Sequence, residues 1–416
     1  MEMKRVVITG LGALTPIGNN VEDFWQSLIN GVSGAAPITH FDASNAKTQF
    51  ACEVKNFDGG QYFDRKEIRK YDRFSQFGIV AAEEAIADSK INIENLDKDN
   101  SGVIWASGIG GIQSFEDEIT DFVKGDGSLR FSPFFIPKMI PDICAGHISI
   151  KYGLRGPNFA TVSACASSAH AIAEAFMLIK TGKATMMVCG GSEAAVTHAG
   201  IGGFSSMKAI SQRNNDPKTA SRPFDKDRDG FVLGEGAGAL ILEELEVAKK
   251  RGAKIYAELV GSGLTADAYH MTAPHPEGIG AMRAMKIAME EGGLKLTDVQ
   301  HINTHGTSTP IGDKAETLAI VNLFGEHAKD ININSTKSMT GHLLGATGAV
   351  ESVATILAIK NSIVPPTINH FTDDDELPKL NYTFNKAQKR DITAALSNTF
   401  GFGGHNACLA FKKFND

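Results

Sequence analysis

One cysteine and two histidines in this chain have surroundings suited to chemistry. Cys165 lies in Thr161-Val162-Ser163-Ala164-Cys165-Ala166-Ser167-Ser168, ahead of an Ala-rich stretch from Ala169 to Ile179 that reads as a largely buried helix. A cysteine at such a helix start feels the positive end of the macrodipole and unpaired backbone N–H groups, both of which favour the nucleophilic thiolate. Taken alone, a cysteine is more often a small buried hydrophobe. His305 in Asn303-Thr304-His305-Gly306-Thr307-Ser308-Thr309-Pro310 and His342 in Lys337-Ser338-Met339-Thr340-Gly341-His342 shift that balance, because both sit in Gly- and Thr-rich segments read as strand-end loops. Neutral imidazoles there can donate N–H bonds to a developing oxyanion, and one can assist proton movement.

The elements that must hold these residues follow from periodicity. Short β-branched runs alternate with helical stretches: candidate strands are Arg5–Thr9, Val103–Ala106, Thr185–Cys189, Ala239–Leu242, Gln300–Thr304, Ile331–Asn334, Thr393–Leu396 and Ala407–Phe411. A helix over Phe74–Ala87 would place Phe74, Phe77, Ala81 and Ala85 on one face. The alternation predicts α/β layers with buried sheets. A faint repeat divides the chain. Cys165-Ala166-Ser167-Ser168-Ala169 leads a helix ending Ile179-Lys180, and Gly345-Ala346-Thr347-Gly348-Ala349 leads one ending Ile359-Lys360 at the same offset. Val103–Gly108 likewise resembles His301–Gly306, a strand running into a Gly turn. Two halves, 1–250 with the cysteine and 251–416 with both histidines, would meet along these helices, with the active site at their interface.

Composition narrows the function classes. The 416 residues are 42% apolar and 21% charged, with 43 glycines and a net charge of -7, which gives no support for nucleic-acid binding. No apolar run is long enough to span a bilayer, and Met1-Glu2-Met3-Lys4-Arg5 enters Val6-Val7-Ile8 with no leader-like segment between. Five scattered cysteines, never in a CxxC, argue against both a disulfide framework and a zinc site, so a cytoplasmic location is expected. Gly10-Leu11-Gly12 lacks the third glycine of a dinucleotide fingerprint and reads as a turn after the first strand; Gly182-Lys183 lacks the spacing of a phosphate loop. No histidine spacing suggests a metal, and His170, His198 and His405 read as structural. Gly401-Phe402-Gly403-Gly404-His405-Asn406 reads as a turn whose aromatic can swing and whose backbone can approach a reacting carbonyl.

Together these segments resemble the β-ketoacyl-acyl-carrier-protein synthases, specifically the elongating type II condensing enzymes. The marks are Ala164-Cys165-Ala166-Ser167, Arg222-Pro223-Phe224-Asp225 with Arg228-Asp229-Gly230-Phe231-Val232, His305-Gly306-Thr307-Ser308-Thr309, Lys337–His342 and Gly401–Gly404, in the family's order and across essentially the whole chain. The resemblance implies a thiolase fold, five-layered αβαβα from two fused halves, and a homodimer. It implies that Cys165 takes an acyl chain from a carrier-protein thioester, and that malonyl-carrier protein loses CO2 to give the carbanion that attacks it. His305 and His342 would stabilise the decarboxylation oxyanion; the N–H groups of Cys165 and Phe402 would meet the second one. Lys337 carries over as a positioning lysine partnered by Glu351, although a Lys–Glu pair is usually an inconsequential surface contact. Thr307 and Thr309 would bind the phosphopantetheine arm, Phe402 and Ile109 would gate the acyl channel, and Phe204 would line it. No cofactor is implied beyond the phosphopantetheine of the carrier protein.

A basic run, Arg65-Lys66-Glu67-Ile68-Arg69-Lys70 with Arg73 and Lys208, stands out in an acidic chain. Such runs are usually solvated helix faces; carrier proteins are acidic, and a dock there would steer them. Neighbouring readings are less favoured. Thiolases use two active cysteines, the initiating synthases carry asparagine where His342 stands, and the decarboxylation-deficient chain-length partners lack the nucleophile. A polyketide ketosynthase shares the Cys–His–His set and remains the alternative.

Overall fold

The computed structural model describes residues 3–415. Ten strands form one continuous sheet: β1 (Val6–Leu14), β2 (Ser101–Ala106), β3 (Asn158–Phe159), β4 (Met186–Glu193), β5 (Gly236–Glu244), β6 (Ala257–Ala266), β7 (Val299–Asn303), β8 (Asn332–Asn334), β9 (Ala394–Gly401) and β10 (His405–Lys412). Their spatial order is β8-β7-β9-β10-β6-β1-β5-β4-β2-β3. Counted outward from the centre, the first half runs first, fifth, fourth, second, third strand, and the second half repeats that order. The directions repeat as well: the two inner pairs of each half are antiparallel and the two outer pairs parallel. The faint sequence repeat is therefore a repeat of topology. The two half-sheets pair where Val6–Ile8 of β1 meets Ala257–Leu259 of β6. Beyond Ile8 the sheets part, and Asp88 and Glu84 carboxylates accept the freed amides of Leu11 and Ala13.

Helices fill the layers. On one outer face lie α1 (Arg73–Ser89) and, farther along, α2 (Ile112–Lys124) and α3 (Ile143–Tyr152). Between the two half-sheets lies α4 (Ser167–Lys180). α5 (Ile279–Glu291) and α6 (Pro310–Phe324) cover the second half-sheet, and α7 (Thr347–Asn361) joins α4 in the middle. The result is the expected αβαβα arrangement. Residues 347–359 of α7 are buried on every side, as a helix between two sheets must be. Glu351 is the only charged residue among them.

Sequence reading and structure part company at the strand glycines. Gly10 and Gly12 are not a turn; β1 runs through them with one irregularity between Ile8 and Gly10. A Cβ on Gly10 would lie 2.2 Å from the Ala85 carbonyl oxygen, and one on Gly12 would lie 1.9 Å from that of Ala81. The glycines let α1 settle directly on the strand. Of the two strands missing from the sequence reading, β3 and β6, the longer, β6, has the same cause. Gly261 and Gly263 interrupt its β-branched pattern, and their Cβ positions would lie 2.1 and 1.8 Å from the carbonyl oxygens of Ala288 and Ala284 on α5.

Candidate active site

The nucleophile stands on a strained elbow between β3 and α4. Ala164 has φ of 50°, a left-handed conformation costly for a residue with a Cβ. Ser167 at the start of α4 holds it, accepting from the Ser163 amide at 2.9 Å and donating to the Ala164 carbonyl at 2.6 Å. Cys165 therefore lies just ahead of the helix. Its Sγ is 3.0 Å from His342 Nε2. The backbone amides favour the thiolate as expected, and burial opposes them. Burial pushes the thiol up to about 12; Lys337 and the amides of Phe402 and Cys165 pull it down, and Glu193 works against them. A helix start alone does not offset removal from water.

The histidines come from the second half. His305 follows β7, and its loop is pinned by Glu316 of α6, whose carboxylate accepts the His305 amide at 2.9 Å and the Gly306 amide at 2.8 Å. His342 follows Gly341, whose φ of 69° turns the chain into the site. Its Nδ1 is 3.0 Å from Thr347 Oγ1 and its amide donates to the Val232 carbonyl at 2.7 Å. The two rings meet edge to face at 5.3 Å. Burial first, then the Lys337 charge, holds both imidazoles well below the usual histidine range, so both are neutral.

Lys337 and Glu351 are both 2% exposed at the side chain, and Nζ lies 2.5 Å from Glu351 Oε1. This pair is no surface contact. Neither residue lines the cavity, and Glu351 stands against Lys337, the partner expected for it. Burial raises the Glu351 carboxyl to about 7 against the pull of Lys337.

Cys165 and both histidines open on a cavity of about 560 Å³ that also contains Phe402, Ile109 and Phe204. Thr307 and Thr309 line it too, with their hydroxyls 2.9 Å apart. Lys208, exposed, marks its rim. Phe402 occupies the turn between β9 and β10. A Cβ on the preceding Gly401 would come within 2.8 Å of the Ser163 carbonyl oxygen, which shows how tightly this turn presses on the elbow. Arg65, Lys66, Arg69 and Lys70 are exposed around a four-residue helix, outside the cavity lining. Arg73 does not join them: it pairs with buried Glu235 at 3.1 Å and lies over Phe77.

The sequence reading gave no site role to Glu316 or Phe231. Glu316 holds the His305 loop, and its only sequence signal is an acid within an otherwise mostly buried helix face. Phe231 stacks edge-on against both His342, at 5.1 Å, and Phe204, at 5.4 Å. One group of side chains among the described residues has donor atoms close enough to share a metal ion. The Cys165, His305 and His342 donor atoms lie within 4.8 Å of one another. Asn303 Oδ1, Ser397 Oγ and Glu351 Oε2 are also buried without a hydrogen-bond partner.

Residues 3–248 match the family model described as "Beta-ketoacyl synthase, N-terminal domain", and residues 256–371 match "Beta-ketoacyl synthase, C-terminal domain". Among curated relatives, a 3-oxoacyl-[acyl-carrier-protein] synthase 2 from Synechocystis is 53% identical over 414 residues, covering 100% of this chain and 99% of the relative. One from Staphylococcus aureus strain N315 is 52% identical over 411 residues, with 99% of each chain covered. Solved structures agree. A beta-ketoacyl synthase from Burkholderia phymatum superposes with a TM-score of 0.92 at 35% identity, covering 99% of this chain and 100% of that one. A ketosynthase solved in complex with its type II PKS acyl-carrier protein gives 0.91 at 33% identity, with 100% of each chain covered. The fold, the order of the motifs and these full-length likenesses agree that the chain belongs to the β-ketoacyl synthase family.

Proposed function

We propose that this protein catalyses the decarboxylating Claisen condensation of an acyl group, held on Cys165, with malonyl-acyl-carrier protein, giving 3-oxoacyl-acyl-carrier protein in fatty-acid elongation. The observation that carries the reading is the convergence of a buried thiol and two neutral imidazoles on one apolar cavity. In the first half-reaction the Cys165 thiol attacks the acyl thioester. His342 Nε2, 3.0 Å away, takes its proton as the sulfur–carbon bond forms, and the pantetheine thiolate leaves with a proton. Neither group needs to be charged at rest, which suits a thiol held at about 12. The Phe402 and Cys165 amides, which already lower the thiol's pKa, receive the tetrahedral oxyanion.

In the second half-reaction malonyl-carrier protein loses CO2, and negative charge builds on its thioester oxygen. His305 and His342 donate N–H bonds to that oxygen, His342 in its Nε2–H tautomer with Nδ1 accepting from the Thr347 hydroxyl; a donor of this kind contributes roughly 2.7–4 kcal/mol of barrier lowering. The resulting carbanion attacks the acyl-Cys165 carbonyl, forming the new carbon–carbon bond and breaking the thioester; the Cys165 thiolate that leaves takes up one proton from solvent to restore the thiol. Lys337, held by Glu351, keeps the imidazoles neutral and oriented. Thr307 and Thr309 receive the phosphopantetheine arm, and Phe402 with Ile109 gates the acyl channel along Phe204. No bound cofactor takes part in this scheme.

The basic residues Arg65, Lys66, Arg69, Lys70 and Lys208 dock the acidic acyl carrier protein. The halves divide at 250/251, and the enzyme is a homodimer. The open edge strand β3, with Phe159 39% exposed and Val162 58% exposed beside it, supports pairing with a second copy. No helix among the described residues is long and apolar enough to cross a membrane, and five unpaired cysteines suit a cytoplasmic enzyme. A polyketide ketosynthase is the second reading; the 32–33% identity to such structures against 52–53% to synthases of the first kind favours elongation. The test is turnover of acyl-carrier-protein primers of graded length with malonyl-carrier protein. Each turnover should release one CO2 and lengthen the primer by two carbons. Absence of a lengthened 3-oxo product, or repeated extension without reduction, would overturn the reading.

A further inference from the structure

A buried carboxylate that the mechanism above does not use sits at the seam of the two halves. Glu193 ends β4 and is fully buried, yet it has no cationic partner among the described residues. Its carboxylate accepts four hydrogen bonds: from Ser107 Oγ at 2.8 Å and the Ile109 amide at 3.1 Å on Oε1, and from the Gly108 amide at 2.7 Å and the Gly345 amide at 2.8 Å on Oε2. Ser107, Gly108 and Ile109 belong to the first half, whereas Gly345 lies three residues past His342 in the second. All four bonds run toward the glutamate, so the position needs an acceptor at both oxygens.

The packing leaves no other way to hold this seam. A Cβ on Gly345 would lie 2.2 Å from the Gly108 nitrogen and 2.7 Å from Glu193 Oε2. One on Gly108 would lie 2.9 Å from the same oxygen and 3.4 Å from the Ala164 carbonyl oxygen. Two backbones therefore touch beside the nucleophile, with one carboxylate sealing both. Immediately beyond, the Ile109 side chain enters the cavity and packs in the same apolar cluster as Cys165, Phe204 and Leu344. A shift of the Ile109 backbone would move the cavity wall against an acyl chain.

We propose that Glu193 is a positioning residue that sets which acyl chains Cys165 accepts, by fixing the Ile109 wall of the cavity relative to the His342 loop. The proposal rests on the acyl-enzyme reading above. Glu193→Gln makes the point sharply. Its carbonyl oxygen can keep the Gly108 and Gly345 amides, and Ser107 can turn its hydroxyl to accept from the new NH2. The Ile109 amide then has no acceptor. Leaving a buried amide unpaired is a large local perturbation, and it falls on the one backbone that carries the wall.

The experiment measures initial rates of acyl transfer to Cys165 by intact-protein mass spectrometry, using short and long acyl-carrier-protein primers in the same preparation. The readout is the ratio of long-chain to short-chain rates, from which the fraction of folded enzyme cancels. Glu193→Gln should change that ratio roughly tenfold or more. Ser107→Ala, which deletes one donor to Glu193 and the acceptor of the Gly110 amide but spares the three backbone bonds to the carboxylate, should move it in the same direction by less, and it serves if the glutamine variant does not fold. An unchanged ratio in the folded variant, with rates lowered equally at both lengths or not lowered at all, would overturn the proposal. A wild-type enzyme that formed no acyl-Cys165 would instead overturn the function reading.

Discussion

The two halves share a topology down to the contacts that seat their helices, yet they do opposite work. In the first half Gly10 and Gly12 of β1 admit Ala85 and Ala81 of α1; in the second, Gly261 and Gly263 of β6 admit Ala288 and Ala284 of α5. The central helices repeat too, and they lock together: the Ala349 amide at the start of α7 donates to Ser168 Oγ at the start of α4, at 2.9 Å. At the corresponding elbow, however, the first half has Cys165 and the second has Gly345. In the proposed reaction one half supplies the nucleophile and its own amide; the other supplies the proton acceptor, both imidazole donors and the Phe402 amide. The turns after β2 and β7 show the same division. Each has two backbone amides held by a buried glutamate, Glu193 for Gly108 and Ile109, Glu316 for His305 and Gly306. Only the second turn carries a histidine. A repeated scaffold fixes positions, and the side chains at equivalent positions decide the chemistry.

The sharpest way to break this division of labour is to remove one half's contribution and follow both half-reactions. Cys165→Ala should abolish elongation while leaving measurable decarboxylation of malonyl-carrier protein, because that step needs only a bound thioester and the two imidazoles. His305→Ala combined with His342→Ala should suppress decarboxylation by on the order of a hundredfold or more for each donor lost. CO2 release and mass-detected acylation of each purified variant check both. Wild-type decarboxylation in the double histidine variant would show that the second half does not supply the oxyanion donors.

The state of the nucleophile gives a second test. With the thiol at about 12, thiolate is scarce at neutral pH, and its fraction rises about tenfold per pH unit well above neutrality. The rate of Cys165 alkylation by iodoacetamide should therefore climb by roughly a hundredfold from about pH 7 to about pH 9 without levelling. A plateau near neutral pH would mean that the thiolate is already formed at rest. Peptide mapping should still find Cys165 labelled ahead of Cys52, Cys144, Cys189 and Cys408, since burial raises all five thiols but only Cys165 opens on the cavity.

The structural half of the comparison can be tested by filling the strand glycines. Gly12→Ala and Gly263→Ala each drive a methyl group into a helix carbonyl, and each should cost about 1–3 kcal/mol or more of stability, as overpacking does. Gly146→Ala on α3, where a Cβ meets nothing within 4 Å, should be neutral or stabilising. Chemical denaturation of the three variants checks this. A large cost at Gly12 with none at Gly263 would mean that the halves are seated differently.

Those same glycines mark what the sequence showed and what it hid. Eight of the ten sheet strands were legible as β-branched runs, and the helix around Phe74–Ala87 as an apolar face. Strand β6 was not, and Gly10–Gly12 read as a turn, because a glycine that admits a helix is locally indistinguishable from one that bends the chain. The two-residue β3 carries no periodicity at all. In the site, Cys165, His305 and His342 were legible because polar side chains in Gly- and Thr-rich turns have few structural uses. Glu316 and Glu193 were not, since their role is to accept amides that come together only on folding. The backbone amides at Cys165 favour the thiolate as helix position implies, but the opposing effect of burial is a property of the assembled site and not of the sequence.

The smallest expected effect concerns the surface that belongs to the first half alone. Arg65, Lys66, Arg69 and Lys70 are exposed, form no ion pair among the described residues, and flank a short helix whose capping box, Asp64 with Glu67, holds it independently of them. Their charge can therefore be changed with little cost to the fold. Reversing Lys66, Arg69 and Lys70 to glutamate should raise KM for carrier-protein substrates several-fold, flatten the salt dependence of kcat/KM and largely spare kcat, as expected for charges that steer encounter. Substrates on a short pantetheine mimic carry no acidic protein and should be nearly unaffected. Arg73, already paired with Glu235, provides the contrast: Arg73→Ala leaves a buried carboxylate without its guanidinium, so it should lower stability and depress turnover of both substrate kinds together. Equal losses for carrier-protein and mimic substrates in the triple reversal would remove the dock from the first half and leave that surface a solvated helix face.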